Sequence, residues 1–364
     1  KISICYLIAI SERILGVQCL IYMKQLNNKV MKARQIVLRS RPIGMPTENN
    51  FGFEEIEISA PKDGEVLLKS QYISVDPYMR GRMSDEESYI KPFELGKPID
   101  GGAIATVIES KSDILKKGDR VVGMLPWATY SKDKADRLRK IHTDEFPDGY
   151  YLGVLGMPGL TAYFGVMDIC QPRYGETMVI SGAAGAVGLV AGQIARIQGC
   201  KVLGITGSDE KVNVLKNEFG FDMAINYKTT KDLSGTISEL CPKGVDCYFD
   251  NVGGEVSEAI IAHLNYHARI ALCGQIASYN TATQEMGPRL LPQILSKSGT
   301  IKGFIVGDYQ KRFLEGLSHL MTWLKEGKLH YTETIIDGFD KLPYAFLGLF
   351  SGKNIGKMLV KVNE

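Results

Sequence analysis

"MVISGAAGAVGLVAGQIARIQGCKVLGITGSDEK", residues 178–211, is the stretch on which the fold turns. Its apolar start, "TMVIS" at 177–181, reads as a short buried strand, and "GAAGAVG" at 182–188 as a tight turn. Val187, Val190, Ile194 and Ile197 then recur at helical spacing, and Gly199 is placed to stop that helix. "KVLGIT" at 201–206 supplies a second strand. The glycine spacing is Ala183-x-Gly185-x-x-Gly188, with alanine where a dinucleotide turn usually has its first glycine. Gly185 lets a backbone approach a pyrophosphate, and Gly188 lets the helix sit against its strand. The residues Gly185, Ala186, Val187 and Gly188 open the helix, where unpaired N–H groups attract phosphate. The spacing, inside a strand–helix–strand unit, predicts dinucleotide binding; a glycine turn without a ligand is the alternative.

Which dinucleotide depends on the end of the second strand. An NAD site commonly carries an acid there to hold the ribose hydroxyls. The residues are Gly207-Ser208-Asp209-Glu210-Lys211. Ser208 makes a good N-cap, and acids suit a first helical turn, so Asp209 and Glu210 have a purely structural explanation. Gly207 leaves room, and Ser208 and Lys211 are candidates for a 2′-phosphate. NADPH is the expected cofactor.

Working outward, residues 33–130 hold short runs rich in β-branched residues, such as "EVLLKSQYISV" and "GAIATVIES", separated by Gly, Pro, Asn and Asp. They read as antiparallel β structure. After Gly153 apolar strands alternate with helix-period segments, which argues a parallel sheet covered by helices on both faces. The fold class is therefore α/β, a doubly wound parallel sheet joined to a β-rich unit. "NIGKMLVKV" near the C-terminus reads as a closing strand. The crossings fall near Gly153 and Gly327, giving 31–153 with 327–364 as one domain and 154–326 as the nucleotide-binding one. Residues 1–30 carry two apolar pieces, each shorter than the ~20 residues a membrane span needs. They are expected to be an extension outside the fold, whose pattern starts at Met31.

The 364 residues are 45% hydrophobic and 23% charged, with a net charge of +2. No basic run favours nucleic acid or an anionic membrane. Seven cysteines, an odd number with no C-x-x-C, point to reduced thiols in a cytoplasmic protein.

The blocks "SVDPYMRGRM" at 74–83, "GMPGLTAYFG" at 156–165, "GAAGAVG" at 182–188, "GSDEK" at 207–211, "INYKT" at 225–229, "YFDNVGG" at 248–254, "CGQIASYN" at 273–280 and "NIGKMLVKV" at 354–362 together resemble the zinc-independent medium-chain dehydrogenase/reductases. Within them they resemble the prostaglandin reductase, leukotriene hydroxydehydrogenase and double-bond reductase group, which includes curcumin-reductase-like proteins. The match runs from Met31 to the C-terminus. The resemblance implies a GroES-like β-rich catalytic domain and a Rossmann domain. It also implies NADPH-dependent reduction of the C=C bond of an enone or alkenal substrate by a homodimer.

By motif, the resemblance gives Lys211 and Tyr227 to the ribose phosphate, and Asn251 to the cofactor ribose or pyrophosphate. Cys273, Gly274 and Tyr279 would border the nicotinamide, with Met157 and Thr161 beside it. Phe304, Val306 and Asn354 would complete the site, though Tyr227, Phe304 and Val306 are also explicable as core residues. Tyr279 is the first candidate to stabilise negative charge on the substrate oxygen, and Tyr78 the second. Arg80 and Arg82 read as structural ion-pair residues. The stretch "GKPIDGGAIATVIES" lacks the His that zinc enzymes of this architecture carry. His263 and His267 lack a third ligand, so no metal site is expected. Allylic alcohol oxidation, quinone reduction and non-catalytic NADPH binding are the competing readings.

Overall fold

The structure, a computed structural model, describes residues 30–142, 144–283 and 286–363. Apart from Val30, the extension expected at 1–30 lies outside the described residues. Strands β1 (Met31–Leu38) and β2 (Phe51–Ile58) pair as an antiparallel ribbon. Behind it β3 (Glu65–Ser74), β4 (Asp100–Ser110), β5 (Arg120–Pro126), β6 (Tyr130–Lys134) and β7 (Arg139–Lys140) form an antiparallel sheet. Its core is apolar, with Trp127 stacked 6.1 Å from Phe51 and edge-on to Phe346.

The second sheet holds β8 (Thr177–Ser181), β9 (Lys201–Thr206), β10 (Met223–Asn226), β11 (Val245–Asp250), β12 (Leu264–Leu272) and β13 (Thr300–Gly303). They lie in the order β10-β9-β8-β11-β12-β13, every pair parallel. The order runs outward in both directions from β8, the doubly wound arrangement expected. All five residues of β8 are buried, as a strand covered on both faces requires. The helix Ala186–Ile197 packs on it through Gly188, where an added Cβ would lie 2.4 Å from the Gly182 carbonyl oxygen. Alanine at 183 is accommodated from the neighbouring strand. Its Cβ lies 3.0 Å from where Gly204 would carry one, so the missing side chain has moved to β9.

The chain then returns. β14 (Glu333–Asp337) and β15 (Lys357–Lys361) join the first sheet beside β3. β15 is the closing strand foreseen; β14, "ETIID", is too polar to stand out. His263 and His267 share no helix face, because the helix ends at Ile261 and His267 lies within β12 with φ 60°.

Polar ties join the two sheets beside the phosphate turn, and a buried ion pair braces the first sheet at β15. Gly356 N–H donates to the Ala184 carbonyl at 2.8 Å, which sets the phosphate turn against the start of β15. Gln193, buried in the helix after that turn, exchanges two hydrogen bonds with the His330 backbone at 2.8 and 2.9 Å. Lys357, only 2% exposed, donates to Asp76 at 3.0 Å and to the carbonyls of Val75 and Met358. All three of its protons are used, which is the condition for burying an ammonium group.

Glu333 breaks this pattern. Its Oε1 is buried beside Gly149 and has no hydrogen-bond partner among the described residues. Burial pushes its pKa up to about 7, against the pull of Lys357. The folded state therefore holds a proton that the unfolded chain releases nearer pH 4.5, and stability falls as pH rises between about 4.5 and about 7. Allowing for solvent screening, Glu333→Gln should be stabilising relative to the parent by about 1 kcal/mol more at pH 8 than at pH 4.5. Urea unfolding at the two pH values checks this, and an equal difference at both would contradict it.

Candidate active site

The phosphate turn runs from Gly182, at φ 59°, to Gly185, which caps the helix Ala186–Ile197. The first helical bond is Leu189 N–H to the Gly185 carbonyl at 3.0 Å, so the N–H groups of 186–188 have no intrahelical acceptor. They form an anion cradle at the positive end of a twelve-residue helix. Two other candidates border the region. Asn251 donates its side-chain amide to the Ser181 carbonyl at 2.8 Å, at the end of β8. Asn354 donates to the Gly356 carbonyl at 2.8 Å, on the segment bridged to Gly185.

At the end of β9, Ser208 does cap a helix: its Oγ accepts from Lys211 N–H at 3.3 Å. Asp209 accepts from the Asn226 amide at 2.8 Å, so this acid is already engaged. Gly207 faces Tyr227 and Lys228, and an added Cβ there would lie 3.3 Å from each side chain. Burial, then repulsion from Lys228, lowers the pKa of Lys211. Two ammonium groups thus share one space beside an exposed phenol, and among the described residues neither makes an ion pair. A dianionic 2′-phosphate fits this donor set. Lys228 was legible only as the letter after Tyr227 in "INYKT"; its approach to Lys211 needs β9 and β10 side by side.

A cleft of about 390 Å³ lies beyond the carboxyl ends of β12 and β13, lined by Cys273, Gly274, Gln275, Tyr279, Phe304 and Asp308 among others. Such strand ends are where open α/β sheets bind ligands. Cys273 and Gly274 donate their N–H groups to the Asp250 carbonyl at 2.9 and 3.0 Å, which aligns this loop with β11. Burial, then Asp250, pushes the Cys273 thiol up to about 12. Tyr279 folds back over Gly274, and its hydroxyl accepts from Gln275 N–H at 3.4 Å. Burial raises its pKa, opposed by that N–H, so the phenol stays protonated.

Phe304 is nearly buried, edge-on to Phe249 at 6.3 Å, and still lines the cleft. Val306 and Met157 do not line it. Thr161 is buried with its hydroxyl donating to the Met157 carbonyl at 2.7 Å, within its own helix. Tyr78 stands at the head of the turn Met79–Arg82, its phenol held protonated first by burial and then by Asp76. Tyr89, which the sequence reading passed over, is an exposed phenol whose pKa partial burial and then Tyr279 raise.

Residues 34–141 match the family model described as the N-terminal domain of oxidoreductase, and residues 186–323 the one described as zinc-binding dehydrogenase. The protein YfmJ of Bacillus subtilis is 54% identical over 91% of this chain and 98% of its own. The NADPH-dependent curcumin reductase of Escherichia coli is 42% identical over 90% of this chain and 96% of its own. The crystal structure of CurA in complex with NADPH from Vibrio vulnificus superposes with a TM-score of 0.86 at 41% identity, covering 91% of this chain and 99% of that one.

The chain belongs to the medium-chain dehydrogenase/reductase family, in the group of the curcumin and prostaglandin reductases.

The zinc in one model's description finds no donor set. Among the described residues no three His, Cys, Asp or Glu side chains are grouped to hold a metal, and His263 Nε2 pairs with Ser234 Oγ at 2.9 Å. For this medium-chain reductase the paired lysines give a direct test. Lys211→Ala should raise KM for NADPH by about 10-fold or more, the usual worth of a charge-assisted hydrogen bond. KM for NADH should barely move, and Lys228→Ala should act in the same direction. Equal effects on both cofactors would contradict the assignment.

Proposed function

We propose that this protein reduces the carbon–carbon double bond of α,β-unsaturated ketones and aldehydes with NADPH. The observation that carries the reading is the protonated Tyr279 phenol in a cleft at the carboxyl ends of β12 and β13. The kinship with a curcumin reductase supports it. When bound, NADPH supplies the hydride that reaches the β-carbon.

The chain's own residues do the rest. Gly185, Ala186, Val187 and Gly188 would hold the pyrophosphate, and Lys211, Lys228 and Tyr227 the 2′-phosphate. Asn251 and Asn354 would steady the ribose and pyrophosphate, and Phe304 would wall the nicotinamide side. As negative charge builds on the substrate carbonyl oxygen, Tyr279 would donate a hydrogen bond to it, with Tyr78 as a second donor. Both are neutral donors placed before the reaction, so they cost no reorganisation when the charge appears. We read the reaction as zinc-independent, which is supported by the lack of a grouped ligand set for zinc among the described residues.

The same reading takes 31–153 with 327–364 as the catalytic domain and 154–326 as the cofactor domain. It also takes a homodimer, in which β13 would pair across a two-fold axis. All four residues of β13 are exposed at the sheet edge, and Ile301 and Ile305 are accessible there. The five described cysteines are free, and no described helix is long and apolar enough to cross a membrane. Both facts support a cytoplasmic location.

The test follows NADPH consumption with a 2-alkenal, an aryl enone and a quinone, and NADP⁺ reduction with an allylic alcohol. Turnover on alkenal or enone supports the proposal. NADPH binding without turnover on any of them favours a non-catalytic role. Tyr279→Phe should lower kcat by about 100-fold, the scale of one lost oxyanion donor. Because burial keeps the phenols above their usual pKa of about 10, the parent's kcat should show no break attributable to them below about pH 9. A step in that range would assign proton donation elsewhere.

A further inference from the structure

Arg80 was expected in a structural ion pair, and its neighbour Arg82 does make one, with Asp100. Arg80 does something different. It is 7% exposed, and among the described residues it pairs with no carboxylate. Its Nη2 donates to the Gly44 carbonyl at 2.9 Å and, longer, to the Pro42 carbonyl at 3.4 Å. Its Nε donates to the Asn280 side-chain oxygen at 3.1 Å.

The partners divide between the two halves of the molecule. Pro42 and Gly44 follow β1, on the β-rich side; Asn280 follows Tyr279, on the loop that leaves β12. The Gly44 backbone also meets that loop directly: an added Cβ at 44 would lie 3.6 Å from the Asn280 carbonyl oxygen. One buried guanidinium thus ties the β-rich side to the loop that carries Tyr279, one residue from that phenol.

We infer that Arg80 is a positioning residue, which holds the Tyr279 loop against the β-rich side of the cleft so that the phenol meets the substrate oxygen. The inference rests on the proposed role of Tyr279. A guanidinium suits the task, because its planar fork reaches acceptors in two directions at once, whereas a lysine offers a single point of donation. Among the described residues the hydrogen bonds of Arg80 all go to neutral acceptors, with Glu86 acting on it only at longer range, so it is worth little as a salt bridge. Its worth lies in fixing three acceptors relative to one another, and misplacement of a reacting group by about 1 Å is enough to lower a rate severely.

The experiment is a set of variants assayed with the best enone. Arg80→Ala should lower kcat roughly 10- to 100-fold while KM for NADPH stays within about twofold, because the phosphate grips lie elsewhere. Asn280→Ala, remote from Tyr78 along the chain, should reproduce the effect, and Arg80→Lys should recover only part of it. In a Tyr279→Phe background Arg80→Ala should cost little more, since a residue that acts through Tyr279 has nothing left to position. Full additivity of the two losses would overturn the inference, as would an unchanged kcat in Asn280→Ala.

A second measurement does not depend on turnover. In protein labelled with 3-fluorotyrosine, the ¹⁹F resonance that vanishes in Tyr279→Phe reports on that ring. Arg80→Ala should shift or broaden this resonance and leave those of distant tyrosines in place; an unmoved resonance overturns the inference. If no enone is turned over by the parent, the proposed function fails, and the fluorine readout alone decides whether Arg80 holds the loop.

Discussion

The carboxylate of Asp250 is the point from which the site hangs. It lies at the end of β11, 3% exposed, where the strand order reverses between β8 and β11. Its Oδ1 accepts from Ser181 Oγ, Tyr248 OH and the N–H groups of Val252 and Gly253; its Oδ2 accepts from Ser257 Oγ and the Gln275 amide. No cation is among these partners. A buried charge without a counter-ion is tolerable only when donors replace its hydration, and these six do so. The donors come from β8, from β11, from the turn and helix that follow, and from the cleft loop. The same residue's carbonyl receives Cys273 and Gly274, and the next residue, Asn251, reaches back to β8. The pyrophosphate cradle and the reacting cleft are therefore referred to one atom cluster, and their separation is set by strand geometry.

The β-rich unit meets the parallel-sheet half through an apolar core that holds Ile104, Tyr151 and Leu359 against Leu160, Val190 and Ala271. Three polar ties are set beside it: Gly356 to Ala184, Gln193 to His330, Arg80 to Asn280. Two of the three lie beside the phosphate turn and its helix, and the third beside Tyr279. They sit where the cofactor and the substrate oxygen would be.

What was legible in the sequence is what is local. The strand, turn and helix at 177–197 follow from spacing alone, and Ser208 caps the next helix through a bond three residues long. The parallel sheet followed from alternating strand and helix patterns. The parts that escaped notice depend on chain segments meeting. Lys228 approaches Lys211 because β10 lies beside β9. Arg80 reaches Asn280 across 200 positions of sequence. Tyr89 sits on a loop whose course no periodicity describes. Asp250 looked like one letter of "YFDNVGG", because nothing in a sequence shows that six donors converge on it. β14 escaped because three of its five residues carry polar side chains, and it is held by pairing with β15. Thr161 was a reasonable cleft residue by position, but its hydroxyl is taken by its own helix, as threonine in a helix commonly allows.

The charges of the site are divided by task. Lys211 and Lys228, which repel one another, stand at the proposed phosphate end, whereas the guanidinium nearest Tyr279, that of Arg80, is engaged by Asn280, Gly44 and Pro42. On the proposed reading a 2′-phosphate between the two lysines would remove that repulsion as well as accept their hydrogen bonds, which would favour the phosphorylated cofactor over its unphosphorylated relative. The reacting end holds phenols that burial keeps neutral. A cation with no acceptors of its own there would attract the ground-state carbonyl dipole and bind any small anion. A neutral hydroxyl gains most when full charge develops on oxygen, and that difference between the bound ground state and the transition state is what accelerates a reaction. Permanent charge to hold, neutral donors to react: both follow from where the fold buries its polar groups and where it leaves them half open.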